Sequence, residues 1–417
     1  MATVTALPDR RRSFWNPAAA HRQVLEWSLL LLVATFPLKS IVDLDAIVEV
    51  GSVPLLSLPK LAGALFFSLF LLYALLHRPT LWVDKTHALL LGFIGIAIAS
   101  SLQASVQSTA VITTARYASF IALYFAMVQL LTEPRTRAWV IWALVAACAV
   151  TASIALANMI SRNALIAKTP YGDANDVAFM LATVVPLGCW LAGWQGRIRL
   201  LVLAMASVIA LGVVLSFSRS ALVGLAAAGI WLVLAERRRA RMILVGVAFA
   251  VLLAALLVWL DPVQLREAIA AKQKVAWVNI TNRIMVWQAA VQLVLEHPLL
   301  GVGPGNFQFY YAEVWLARPG AHELRVVHNS YLEIACEMGL VALALFGAFL
   351  AIIFTRLAAV VRRGGGDAGL AMALRASLVV ALVGGVFVSE QLFAPYWLIA
   401  GIGNAVWLSV RRRHAEA

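Results

Sequence analysis

The sequence predicts an all-α polytopic membrane protein of about twelve transmembrane helices, and three observations carry that prediction. Hydrophobic residues make up 63% of the chain and charged residues 13%, with a mean hydropathy of +0.89, far outside the range of soluble domains. Apolar windows of the roughly 20 residues needed to cross a hydrocarbon core recur along the chain. Between them, basic residues cluster in every second connection.

The first window, Val24 to Ile41, follows a basic tail (residues 1–23) and lacks a small-residue cleavage site, so it reads as a retained helix rather than a removed signal. Eight more follow: Leu55 to Leu76, His87 to Ser105, Thr109 to Leu131, Ala138 to Ile160, Asp176 to Trp194, Ile198 to Leu215, Ser218 to Ala235 and Met242 to Leu260. A long connection, 261–329, separates these from Ser330 to Thr355, Leu370 to Ser389 and Pro395 to Val410, before a short tail over 411–417. One set of connections holds Arg10 to Arg12 and Arg22, Arg78 and Lys85, Arg135 and Arg137, Arg197 and Arg199, and Arg237 to Arg239 with Arg241. It continues with Arg356, Arg362 and Arg363, and with Arg411 to Arg413. The intervening connections are poor in basic residues and include the acids Asp43, Asp45 and Glu49. By the positive-inside rule both termini are cytoplasmic. The formal charge of +13 is then a topology signal and implies no nucleic-acid partner. Cys148, Cys189 and Cys336 all fall in apolar windows, with no spacing that suggests a structural metal.

The long connection is placed on the outer side and is too patterned for a linker. Leu265, Ile269, Lys272 and Ala276 share one helical face, and Ile284, Trp287, Val291, Val294 and Leu295 define a second short helix ending at Pro298. Both are too short to span and are expected to lie at the interface. GVGPGNF, Gly301 to Phe307, prescribes a tight turn and is only weak evidence for a phosphate cradle.

Three basic residues stand at helix starts. Ser330 and Glu333 are spaced for a capping box, leaving His328 just ahead of a helix N-terminus, where the dipole disfavours protonation and leaves a proton acceptor. Arg219 follows Ser218, the expected N-cap of the eighth span, and Arg283 lies in the first turn of the second loop helix behind Thr281. A cation there costs about 0.3 to 1 kcal/mol unless an anion is present. A phosphate or diphosphate fits both the free N–H groups and an arginine fork. Each residue also has an ordinary reading: headgroup contact for Arg219, an interfacial surface arginine for Arg283, loop packing for His328. Arg116, Glu337, Lys60 and Arg325 add further charge near the outer boundary, with an Arg116–Glu337 ion pair and a ligand role both open. Lys39 and Glu390 lie there too, Arg375 reads as snorkelling at the inner end, and Asp173 and Asp176 read as caps of the sixth span.

The run NRIMVWQAAVQLVLEHPLLGVGPGNF, followed by HNSYLEIACEMGLVALALF, resembles the signature region of the O-antigen ligase and polymerase superfamily, and SFSRSALVG and YGDANDVAFML resemble its other recurring segments. The resemblance implies a helix arrangement similar to the C-type glycosyltransferases and a bacterial inner-membrane enzyme with a periplasmic active site. Its donor would be a glycan on undecaprenyl diphosphate, its acceptor a sugar hydroxyl of lipid A-core, and its surroundings membrane lipid, with no cofactor and no metal. The motif histidine carries over to His328, as general base of an inverting displacement. The motif arginines carry over to Arg219 and Arg283, stabilising the diphosphate, with Arg116, Arg325, Lys60 and Glu337 as secondary substrate contacts. A polysaccharide polymerase of the same superfamily is the alternative. A transporter is the alternative of another class, disfavoured because the charges gather at the outer boundary rather than the midplane and no repeat is visible.

Overall fold

Every predicted span but the ninth coincides with a helix. The computed structural model describes residues 17–41, 49–50, 53–54, 57–162, 166–193, 198–235, 283–315, 326–389 and 391–415. The ninth span, the first loop helix, Thr281, Arg325 and Glu390 lie outside them. The described helices are α1 (Pro17–Leu38), α2 (Leu58–His77), α3 (Lys85–Leu102), α4 (Gln107–Leu130), α5 (Pro134–Ser161), α6 (Ala174–Ala192), α7 (Arg199–Leu215) and α8 (Arg219–Ala235). They continue as α9 (283–296), α10 (Phe307–Trp315), α11 (Ser330–Arg363), α12 (Ala368–Gly384) and α13 (Ala394–Ala415). Two-residue strands, β1 (Glu49–Val50) and β2 (Val53–Pro54), pair antiparallel between α1 and α2. Helices α2 to α6 and α11 are long and apolar enough to cross a membrane, and α7, α8 and α12 are shorter apolar helices. The chain is thus a multi-pass membrane protein.

Local sequence sets the helix ends. Pro134 occupies the first turn of α5, where its missing N–H costs nothing. The Asp84 side chain accepts the N–H of Thr86 to cap α3, and that of Asp173 accepts the N–H of Asn175 to cap α6. Arg78 closes α2 in the left-handed region.

One expectation about the tenth span fails. The helix from Ser330 does not run unbroken: Gly339 sits at φ 84°, ψ 171°, dividing α11 into 330–338 and a membrane-length 340–363. The GVGPGNF turn and the residues before it fill the break. Leu340 N–H donates to Pro298 O at 2.8 Å, Val302 N–H to Cys336 O at 3.0 Å and Gly303 N–H to Glu337 O at 2.8 Å. A Cβ on Gly339 would overlap the Leu299 carbonyl, so only glycine lets the two backbones approach this closely.

The bundle has two chemically distinct ends. At one, Tyr171 N–H donates to Ser40 O (3.1 Å), Ala167 N–H to Leu215 O (3.0 Å) and Ser330 N–H to Gly385 O (2.9 Å); this is the site end. The far end is latched by ion pairs. Arg137 Nη2 meets Asp367 Oδ1 at 2.8 Å, Arg22 meets Glu133 at 2.9 Å, and Arg356 pairs with Asp84. Arg137 and Arg356, expected in the connections between spans, lie within helices and are buried. Arg356 also donates to Asn404 Oδ1 at 2.6 Å and lies over the Trp407 ring at 4.0 Å. The Arg375 guanidinium lies over Phe354 at 4.3 Å and Trp231 at 4.7 Å. Between the ends, α11 packs on α3, α12 and α13. Trp397 stacks on Phe120 and Phe349 at the centre of this core, both at 6.0 Å.

Candidate functional site

The starts of α8 and α11 meet at the site end, with the described part of α9 beside them. The N-cap of α11 is Asn329, whose side chain accepts the N–H groups of Tyr331 (3.1 Å) and Leu332 (3.0 Å). The expected Ser330/Glu333 capping box is therefore corrected. Asparagine already serves the helix donors, so the Ser330 hydroxyl turns to Val388 O at 2.8 Å and the Glu333 carboxylate reaches across to Ser389 and to Gln391, the latter at 2.7 Å. His328 lies immediately before the cap, half-buried, at φ 54°. Its N–H donates to Ser389 Oγ at 2.9 Å, and Ser389 donates to Glu333. A non-glycine residue in the left-handed region costs about 1 kcal/mol or more and persists only where its surroundings hold it. The relay Glu333–Ser389–His328 and the Asn329 cap do that holding.

Arg219 opens α8 and is exposed. As expected, Ser218 occupies the position before it, its carbonyl accepting the Leu222 N–H at 3.0 Å, while its hydroxyl lies 3.0 Å from Ser220 Oγ. Phe217, just ahead, is at φ 52°. Both helix entries thus follow a non-glycine residue in the left-handed region, a conformation that turns the chain sharply into the helix. Arg283 is the first described residue of α9 and is half-buried. Burial first, and the charge of Arg219 second, push its pKa below the usual arginine value.

Close contacts tie α8, α9 and α11 together here. Gly384, at the end of α12, packs against Ser220 O in the first turn of α8, and the adjacent Gly385 accepts the Ser330 N–H. Trp287, one turn beyond Arg283, donates Nε1–H to Val327 O at 3.0 Å, next to His328. No carboxylate pairs with Arg219 or Arg283 among the described residues, so two neighbouring guanidiniums, one of them at the N-terminus of α8, make an electropositive corner beside His328.

The remaining expected residues divide. Glu337 is buried, but no ion pair joins it to Arg116 among the described residues. Its carboxylate accepts the N–H groups of Gly305 at 2.8 Å and Phe307 at 3.4 Å. The GVGPGNF turn is therefore no open phosphate cradle, because a carboxylate of its own chain occupies those donors. Arg116 is exposed on α4, near enough for its charge to act on both Glu333 and Glu337. Lys60 is exposed in the first turn of α2. Asp173 and Asp176 line a separate cavity of about 280 Å³ with Lys39, Tyr171 and Phe393.

Ser389, Gln391 and Asn306 were not singled out by sequence reasoning. Asn306 is fully buried and accepts the Val106 N–H at 2.8 Å, fastening the turn to the start of α4. A polar residue ending a glycine-rich turn was the available signal for it. Ser389 and Gln391 sit about 56 and 58 positions from Glu333, a separation that leaves no local pattern.

Residues 200–347 match the family model described as O-antigen ligase. The matched segment contains Arg219, Arg283, His328, Glu333, Glu337 and the glycine turn. It supports membership of the ligase and polymerase superfamily and, at that coarse level, a glycosyltransferase-like activity whose partners are lipid-linked glycan and lipid. No curated protein matches the chain.

Proposed function

We propose, from the match of residues 200–347 to the family model described as O-antigen ligase, an inverting, metal-independent glycan ligase of the bacterial inner membrane. It transfers a glycan from undecaprenyl diphosphate to a sugar hydroxyl of lipid A-core on the periplasmic side. The neutral imidazole of His328 accepts the proton of the acceptor hydroxyl as that oxygen attacks the anomeric carbon. The bond from this carbon to the diphosphate breaks, and Arg219 and Arg283 hold the departing negative charge. A single displacement inverts the anomeric centre. Arg116 and Lys60 serve the substrates secondarily, as does Arg325; Glu333, Ser389 and Glu337 are positioning residues.

The observation that supports this reading is the meeting of the starts of α8 and α11, carrying Arg219 and His328, with Arg283 of α9 beside them and no carboxylate paired to either arginine among the described residues. Diphosphate is the anion whose charge and size suit two neighbouring forks.

The test is transfer by purified protein in EDTA, offering undecaprenyl-diphosphate glycan with either lipid A-core or a second lipid-linked glycan. Glycan on lipid A-core, lost in His328→Ala, is the expected result. Elongation of the lipid-linked glycan makes the protein a polymerase, and absence of transfer to both acceptors overturns the reading.

A further inference from the structure

The far end holds a cavity of about 880 Å³ that the proposed reaction does not use. It opens between the starts of α5, α7 and α12 and the ends of α6 and α13. Trp139, Trp142 and Trp190 supply its indole walls and Arg135, Arg137 and Arg413 its cations.

Its charge is not balanced. Among the described residues Asp367 is the one carboxylate of the lining against three guanidiniums, and Glu133 next door is engaged by Arg22 at 2.9 Å. Arg137 is 1% exposed. Its terminal nitrogens serve Asp367, Ser409 Oγ (2.8 Å) and the carbonyls of Leu131 and Thr132, but Nε is buried without a hydrogen-bond partner among the described residues. Arg413 shares Asp367 and is 57% exposed. Arg135 is exposed and is engaged in no ion pair among the described residues. A buried guanidinium sharing its counter-ion with a second arginine is under-compensated, and an added anion relieves that cost.

The walls say what kind of anion. A hydrated free phosphate gains nothing from three indoles, nor from Ile198 and Leu201, which lie 47% and 57% exposed along the same opening. Indoles beside arginines at a helix-end level match the headgroup region of a bilayer, where basic pockets between helices take anionic lipid. We propose that this cavity binds an anionic phospholipid, its phosphodiester held by Arg135 and Arg413 beside Arg137 and its acyl chains against Trp139, Ile198 and Leu201. The site is independent of the transfer reaction: the 28 residues of α5 separate it from the other end by roughly 40 Å.

The full chain in nanodiscs of phosphatidylcholine doped with phosphatidylglycerol tests it, with retained lipid counted by native mass spectrometry. Wild type is expected to retain phosphatidylglycerol in preference. One basic charge near a lipid surface is worth about fivefold, so Arg135→Gln should lose about that factor and Arg135→Gln/Arg413→Gln on the order of 20-fold. Arg135→Gln carries the decision, because that side chain latches no helix. Equal retention of both lipids by wild type, or an unchanged preference in Arg135→Gln, overturns the proposal. Inorganic phosphate raising the melting temperature as much as phosphatidylglycerol does also overturns it, in favour of a bare anion site.

Discussion

Replacing Gly339 with alanine gives opposite signs for a broken and an unbroken α11. In an unbroken helix, alanine would add about 1 kcal/mol of stability over glycine. In the structure, Gly339 adopts φ 84°, ψ 171°, a region essentially closed to residues with a Cβ and costing about 1 to 3 kcal/mol. The new methyl would overlap the Leu299 carbonyl and lie 2.8 Å from Leu300 N. Relief requires the turn to withdraw, and with it the bonds Leu340 N–H to Pro298 O, Val302 N–H to Cys336 O and Gly303 N–H to Glu337 O. At about 1 kcal/mol net for each, the total is a loss of about 5 kcal/mol. With an unfolding entropy of about 2.1 cal/mol/K per residue over 417 residues, the melting temperature should fall by about 6 °C. Gly347→Ala is the internal control: it lies on the same helix with nothing within 4 Å of its would-be Cβ, and should be neutral or slightly stabilising. The assay is thermal unfolding of both variants in one detergent, followed by intrinsic fluorescence. A Gly339→Ala protein that melts at or above wild type would refute the break, the docked turn and the placement of Glu337 together.

Other expectations concern the two ends. Ser389→Ala removes the acceptor of the His328 N–H and should lower kcat about tenfold with KM little changed, whereas Ser389→Thr should recover most of the loss. Asn329→Ala removes both cap bonds and should cost about 1 kcal/mol, read as a lower melting temperature. Arg219→Lys and Arg283→Lys keep the charge but lose the fork; each should weaken inhibition of transfer by inorganic diphosphate more than it alters melting. At the far end, burial raises the Asp84 pKa, but hydrogen bonds from His87 and Thr86 and the Arg356 guanidinium outweigh it and hold the carboxyl well below its ordinary 3.8. A depressed carboxylate stabilises above its unfolded value and loses that contribution as pH falls, so wild type should lose stability faster than Asp84→Asn below about pH 4. Arg356→Met alone should cost roughly 3 to 5 kcal/mol by stranding Asp84, and Asp84→Asn in the same chain should restore part of it.

Hydropathy revealed the spans because lipid imposes one rule on every residue of a helix, so the signal is repeated some twenty times per element. It missed the break at Gly339 for the same reason: one glycine barely changes a window average, and the turn that fills the break comes from about 35 to 40 positions earlier in the chain. The cap at Asn329 was misread by one residue because Ser330 and Glu333 carry the right spacing for a box. What overrides that spacing is the loop after α12, which brings Ser389 and Gln391 to the Glu333 carboxylate. His328, Arg219 and Arg283 stood out in the sequence because a basic residue at an expected helix start is unfavourable by itself, and a local cost can be read locally.

Sorting arginines into loops by charge assigned the chain an expected sidedness but not the work each residue does. At the far end, Arg137 and Arg356 turn inward and each meets an aspartate, Asp367 and Asp84, so buried charge there is chiefly a latch between helices distant in sequence. At the site end the partition is reversed. The acids Glu333 and Glu337 turn inward, but onto hydroxyl, amide and backbone donors rather than onto arginine. Each thereby fixes a loop without neutralising a cation. Arg219 and Arg283 remain close enough for the charge of the first to add to burial in lowering the pKa of the second. Had Glu333 or Glu337 paired with either arginine, the corner would gain stability and lose its demand for an anion. Spending both carboxylates on backbone and neutral side chains leaves Arg219 and Arg283 with no carboxylate partner among the described residues, which is the arrangement the proposed diphosphate leaving group calls for.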